Sequence, residues 1–120
     1  MPSHRLKTYS SESGYVYQYY FLESAPRTRW WSRVGTAFRF HVTSDRKQFF
    51  VVEVLVEDKA LRAWERAHGR PLADTEQYAA AKMRLFRAFD ESDSPAKLVG
   101  IRVSESNIEP LLEPLGLDAE

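Results

Sequence analysis

The 120-residue chain contains no cysteine. Disulfides, thiol nucleophiles and thiolate metal sites are therefore excluded. The five glycines stand apart from one another, and none of the GxxxxGKS, GxGxxG or GxSxG patterns occurs, so the sequence offers no phosphate loop and no nucleophile elbow. None of the three histidines has a second histidine at metal-ligand spacing. These absences predict a chain without a cofactor or a metal site, and they favour a protein that is not an enzyme.

Long apolar runs are also missing. No stretch approaches the roughly 20 apolar residues of a membrane-spanning helix, and the N-terminal segment MPSHRLKTYSSES has no apolar region behind its charges. We therefore expect a cytoplasmic protein without membrane contact. The composition is 43% apolar and 13% aromatic, which is typical of a globular protein, and the length suits one domain.

The charges sum to zero but are unevenly distributed along the chain. Residues 1–50 carry eight Lys and Arg against three Asp and Glu, and residues 51–120 carry nine against fourteen. Two interpretations are open: the halves fold together and mix their charges, or the first half presents a basic face to an anion.

The segment GYVYQYYFLES holds four of the six tyrosines between residues 15 and 20 and has the composition of a strand. Side chains alternate between the two faces of a strand. One face carries Tyr15, Tyr17, Tyr19 and Phe21, and the other carries Val16, Gln18, Tyr20 and Leu22. Because both faces are mostly apolar, this strand is either covered on both sides or uses its second face to contact another molecule.

The rest of the pattern predicts an α+β fold with a mostly antiparallel sheet. A three-stranded meander is expected over 15–23, 36–43 and 48–56, with turns at ESAPRT and SDRK, and Gly35 is expected to mark a bulge or kink. Apolar residues three and four apart predict helices over 58–68 and 75–90, packed on one face of the sheet, with Asp74 and Gln77 as a capping pair.

Shorter elements and boundaries complete this prediction. A short strand is expected at Val99 to Val103, followed by a helix that Pro110 and Pro114 interrupt, from which Ile108, Leu111, Leu112 and Leu115 would pack on the core. The predicted organisation is a polar arm over 1–13 with a short strand near Leu6 to Tyr9, one domain over 14–117, and a tail over 118–120.

One weak polar cluster has the composition of an enzyme site. Arg39, His41 and Glu53 fall on the same face of neighbouring predicted strands. Glu53 interrupts an apolar run, where desolvation would raise its pKa and make it a general base. The favoured interpretation is that Glu53 either pairs across the strands with an arginine, for which Arg39 is a candidate, or reaches water.

Tyrosine and tryptophan are common where one end of a side chain is buried and the other is hydrogen-bonded, as at protein interfaces. We therefore expect a protein-interaction or self-associating domain, most simply a homodimer through the face or edge of the tyrosine strand. An alternative is single-stranded nucleic-acid binding through the aromatic and arginine segment 15–33, because arginines flank the two tryptophans of RTRWWSR just after the tyrosine strand. A small-molecule enzyme that uses the polar cluster is a second alternative. The candidate contact residues are Tyr15, Tyr17, Tyr19, Tyr20, Trp30, Trp31, Arg27, Arg29 and Arg33.

Overall fold

Five strands form one sheet, in which the strands lie side by side in the same order as along the chain. The computed structural model describes residues 5–117, and its strands are β1 (Lys7–Ser10), β2 (Val16–Arg29), β3 (Ser32–Thr43), β4 (Phe50–Glu57) and β5 (Ile101–Val103). The pairs β1–β2, β2–β3 and β3–β4 are antiparallel, and β5 is parallel to β4. The predicted α+β fold with a mostly antiparallel sheet is confirmed, but the three-stranded meander belongs to a longer antiparallel run.

Three α-helices occur in the described part of the chain, α1 (Asp58–His68), α2 (Asp74–Glu91) and α3 (Ile108–Leu112), with 3₁₀ turns at Pro95–Lys97 and Glu113–Leu115. The first two match the predicted helices within one residue. The predicted packing of the last segment is wrong at Leu115, which is exposed, whereas the buried side chains of this segment are those of Ile108, Leu111 and Leu112. No helix within residues 5–117 has the length and apolar character to cross a bilayer.

The capping pair of α2 lies one residue earlier than predicted. Ala73 is the N-cap, and the carboxylate of Glu76 accepts a hydrogen bond from the Ala73 N–H at 2.8 Å. The predicted pair of Asp74 and Gln77 is therefore wrong, because Asp74 already belongs to the first helical turn. Glu76 instead satisfies an amide that the helix start would leave without a partner.

The core lies between the helices and one face of the sheet. The ring of Tyr17 stacks on Phe89 of α2 with centroids 4.3 Å apart, and its hydroxyl donates to the Ser92 carbonyl at 3.0 Å. Tyr19 is buried on the same face. This arrangement explains two of the four clustered tyrosines: their rings fill the core, and the polar tip of Tyr17 reaches a carbonyl at its edge.

The β2–β3 hairpin is longer than predicted, because its turn is at Trp30 and Trp31 and not at ESAPRT. Pro26 lies inside β2 opposite Thr36. Since β1 pairs with β2 only up to Tyr19, this part of β2 is on the edge of the sheet, where proline is tolerated. The bulge expected at Gly35 is confirmed by a shift in register, and a Cβ there would lie within 2.3 Å of the Val56 carbonyl oxygen, which only glycine avoids.

The predicted N-terminal arm, residues 1–13, is partly covered by the described residues, and the predicted C-terminal tail is not. Within the predicted arm, β1 is paired with β2, and Tyr9 of β1 packs on the core with its hydroxyl donating to Asp90. The first four residues of that arm and the predicted tail over 118–120 lie outside the described residues.

Candidate functional site

The end of the β2–β3 hairpin extends beyond the rest of the sheet. Strand β3 pairs with β4 only up to Gly35, so the hairpin beyond that point is a ribbon of two strands. Trp30 and Trp31 form the two-residue loop that joins them, next to the last pair, Arg29 and Ser32. The two tryptophans are 78% and 100% exposed. We call residues 28–33 the hairpin tip.

The backbone at the hairpin tip is strained. Trp30 has φ = 64°, the left-handed region that two-residue hairpin loops usually give to Gly or Asn, and the Trp31 N–H donates to the Arg29 carbonyl at 3.1 Å. Such a conformation in a residue other than glycine costs about 1–3 kcal/mol. A large aromatic residue at this position is therefore not explained by stability of the fold.

A groove of about 590 Å³ lies between the hairpin and the start of α1. Two carboxylates, those of Glu57 and Asp58, contribute to its lining. The cationic side chains of this basic groove are Arg27, Arg29, Arg33, Lys59, Arg62 and Arg102.

Half of these cations are held in ion pairs. Arg27 contacts Glu53 at 2.5 Å, Arg33 contacts Asp58 at 3.2 Å, and Arg102 contacts Glu57 at 3.2 Å. The other three cations are Arg29, Lys59 and Arg62. None of them forms an ion pair with any residue in the described range 5–117. The basic groove therefore retains positive charge that an anionic partner can neutralise.

The four clustered tyrosines occupy three different environments. Tyr17 and Tyr19 are in the core and are not accessible to a partner in this structure. Tyr20 lies on the opposite, helix-free face of the sheet, with its hydroxyl 2.5 Å from Nδ1 of His41. Tyr15 is 45% exposed and precedes β2. The tyrosine strand thus has a core face, as its alternation suggested, but its most exposed aromatic residues are the tryptophans at its far end.

Glu53 and Arg39 pair across the strands on the helix-free face, as predicted, with 3.2 Å between Nε and Oε1. Arg39 also contacts Glu23 at 2.7 Å, and Arg27 contacts the same Glu53 oxygen, Oε1, as Arg39 does. Burial works to raise the pKa of Glu53, but the hydrogen bonds from the two arginines outweigh it and hold this pKa below its ordinary value. Glu53 is thus an ionised partner in an ion-pair chain, which is the opposite of a general base with a raised pKa.

His41 does not join this ion-pair chain. Its ring contacts Tyr20 and lies 5.1 Å from Phe49, centroid to centroid. The three residues of the weak polar cluster therefore share a face without converging on one point. Among residues 5–117, no three His, Asp or Glu side chains are placed to hold a metal ion together.

Sequence reasoning identified the arginines of the hairpin but missed half of the basic groove. Lys59 and Arg62 are three apart at the start of α1, a spacing that places them on one helical face and could have been noticed. Arg102 could not have been found, because its position depends on the parallel pairing of β5 with β4.

No family model, no curated protein and no solved structure matches the chain. The function therefore has to be inferred from the hairpin tip and its surroundings.

Proposed function

We propose that this chain is a non-catalytic, self-associating interaction domain whose contact surface is the hairpin tip. The observation that supports this proposal is the exposure of Trp30 and Trp31, 78% and 100%, in the loop that closes the two-stranded ribbon. Burial of a Trp side chain in a contact removes a large apolar area from water, about 25 cal/mol for each Å². The fold gains little of that stabilisation from Trp30 and none from Trp31, whereas a complex could gain it from both.

The composition of the tip is that of an interface centre. Trp and Arg are among the residues most enriched at the interface positions that dominate binding energy. Such positions contribute most when the partner surrounds them and excludes water. Arg29 adjoins the two tryptophans and forms no ion pair with any residue of the described chain. A tip of two indoles and a free guanidinium can thus supply both apolar contact and charge-assisted hydrogen bonds.

The tip is a better candidate than the helix-free face of the sheet. The centre of that face is occupied by the ion pairs of Glu53 with Arg27 and Arg39, so a partner there would have to desolvate paired charges. Two of its exposed apolar residues, Val16 and Val51, are 51% and 61% exposed. Two valines present less apolar surface than two indoles that are 78% and 100% exposed.

The experiment compares three proteins by sedimentation equilibrium between about 5 and 200 µM, the range in which modest interfaces act. The tip variant is Trp30→Gly with Trp31→Ser, and the control is Val16→Thr with Val51→Thr on the helix-free face. We expect the average mass of the wild type and of the control to rise with concentration. The tip variant should remain monomeric, at a mass slightly below the 13.9 kDa of the wild-type chain.

A wild type that stays monomeric over this range would contradict the proposal. So would a tip variant that associates as strongly as the wild type, because the contact would then lie elsewhere. If only the control lost association, the homodimer predicted through the face of the tyrosine strand would replace the tip.

Single-stranded nucleic acid is a second candidate partner, and the basic groove beside the exposed indoles is the observation that favours it. Bases stack on aromatic rings while arginines contact phosphates. The test is a fluorescence titration with a short oligonucleotide at low salt, where a nucleic-acid binder should show quenched tryptophan emission and a steep loss of affinity as salt rises. The zero net charge of the chain argues for the protein partner instead.

A cytoplasmic location stays a prediction, which fractionation of cells that express the tagged chain would check.

A further inference from the structure

A second groove, of about 480 Å³, lies between β1, the C-terminal half of α2 and α3. The ring of Tyr9 stacks on Phe86 with centroids 4.4 Å apart and planes within 4°, which gives the groove a flat aromatic wall. Its remaining apolar lining comes from Met83, Leu111 and the exposed prolines Pro110 and Pro114. The volume of the groove falls in the size range of pockets that accept small organic molecules.

The rim of this groove is acidic. Glu12, Asp90 and Glu91 contribute carboxylates, and Arg87 is the cation of the lining. Asp90 is already engaged, because it accepts hydrogen bonds from the Tyr9 hydroxyl and from the Glu12 N–H at 2.9 and 3.0 Å. Glu12 and Glu91 are exposed, and neither forms an ion pair with another residue of the 5–117 range. We call this site the acidic groove.

The acidic groove and the hairpin tip lie at opposite ends of the molecule. Ser13 and Tyr17 donate to the carbonyls of Phe89 and Ser92, at 3.1 and 3.0 Å, so the end of α2 lies beside the start of β2. The tip is at the other end of this 14-residue strand, whose length along the chain is roughly 40 Å at 3.3 Å per residue. The longest dimension of the molecule is 44 Å. The tip of one molecule therefore cannot reach its own acidic groove.

The geometry points to a second copy of the chain as the partner, with the hairpin tip of one molecule inserted into the acidic groove of the next. This inference rests on the proposed function. Trp30 and Trp31 would pack on the ring, methionine and proline surfaces of the groove, contacts that suit polarisable and flat side chains. Arg29 and its neighbours would meet the free carboxylates of Glu12 and Glu91, so that cations and anions left without partners in one molecule find them in another.

Contact between two different surfaces has a recognisable consequence. It can be made twice in an antiparallel dimer, or once per molecule in a ring or an open chain, but always with one tip and one groove. If the tip of one molecule instead contacted the tip of another, the groove would take no part. Tip-to-groove and tip-to-tip contacts are therefore distinguished by variants that damage each surface alone.

The test uses a rim variant, Glu12→Lys with Glu91→Lys, and a matched control, Glu65→Lys with Glu105→Lys. All four residues are exposed, and both variants change the net charge equally. We expect the rim variant to associate at least about tenfold more weakly than the control in sedimentation equilibrium, because reversed rim charges repel the tip arginines. The control should behave as the wild type.

Mixing supplies the decisive measurement. The tip variant keeps an intact groove, and the rim variant keeps an intact tip. An equimolar mixture of the two should therefore form a 1:1 complex at concentrations where neither variant associates alone. A rim variant that associates as the wild type does, or a mixture that stays monomeric, would overturn the inference. Equal loss in the rim variant and its control would do the same, since net charge would then explain it. The proposed function is tested independently of these outcomes: it requires that the wild type associates and that the tip variant does not.

Discussion

At the scale of single residues, the exposed and the buried aromatic side chains have to be distinguished by their surroundings. Tyr17 and Tyr20 lie three residues apart in one strand, yet the first has no exposed surface and the second borders the helix-free face. Alternation along the strand correctly separated the two faces. It could not say which face the helices would cover, because both faces are mostly apolar and the answer depends on where α2 packs.

Replacing Trp30 with glycine should leave the fold as stable as before or stabilise it by up to about 1 kcal/mol. Glycine removes the cost of the left-handed conformation, and its greater freedom in the unfolded chain cancels part of that gain. Urea unfolding would measure the change. As the contrasting case, Trp64→Ala should lose about 3–5 kcal/mol, because Trp64 is 1% exposed and stacks on His68. A loss above about 1 kcal/mol for Trp30→Gly would mean that the tip supports the fold.

At the scale of elements, the sequence predicted the helices more accurately than the hairpin. The ends of α1 are marked by a change of period and by Gly69, which has φ = 76° at the C-cap. The ESAPRT segment has turn composition but continues as a strand, since its edge position tolerates Pro26, whereas the real turn at Trp30 and Trp31 contains no turn-forming residue. Local propensity cannot identify this turn, because neither Trp30 nor Trp31 is a residue type that favours turns.

The junction between α1 and α2 should give the fold part of its resistance to acid. Arg70 contacts both carboxylate oxygens of Glu76, at 2.9 and 3.0 Å, and its guanidinium lies 5.0 Å from the Trp64 ring centroid. These hydrogen bonds, together with the one from the Ala73 amide, lower the pKa of Glu76 to about 2. A lowered pKa in the folded state stabilises the protein above the unfolded value of about 4.3, and this contribution is lost as the pH falls toward 2.

Glu76→Gln should therefore melt at a lower temperature than the wild type at pH 7, and the difference should shrink between pH 4.5 and 2. Thermal unfolding followed by circular dichroism at several pH values would measure it. Glu105→Gln, an exposed carboxylate on the surface, is the control and should leave the melting temperature unchanged at every pH. A constant difference between Glu76→Gln and the wild type would show that the carboxylate acts by shape and not by charge.

At the scale of the whole molecule, the charge asymmetry of the sequence does not translate directly into the asymmetry of the surface. Three of the six cations of the basic groove come from the acidic half of the chain, Lys59, Arg62 and Arg102. Glu12 of the basic half lies at the acidic groove. The two interpretations of the charge pattern are therefore both partly right. Charges from the two halves of the chain mix on the surface, and a basic groove still results. Which charges meet is decided by tertiary contacts such as that of Arg102 with Glu57, 45 residues apart along the chain.

A tip-to-groove contact between basic and acidic ends should weaken with salt. The distance over which charges act falls from about 10 Å at 0.1 M to about 3 Å at 1 M ionic strength. We expect the wild-type association constant to drop roughly tenfold over this range, because charged groups at the rim of an interface are screened. Sedimentation equilibrium in sodium chloride would measure the drop, with the Glu65→Lys and Glu105→Lys control expected to follow the wild type. Association that is unchanged or strengthened at 1 M would mean that the indoles bind through apolar contact alone, and the acidic rim would then have no part in choosing the partner.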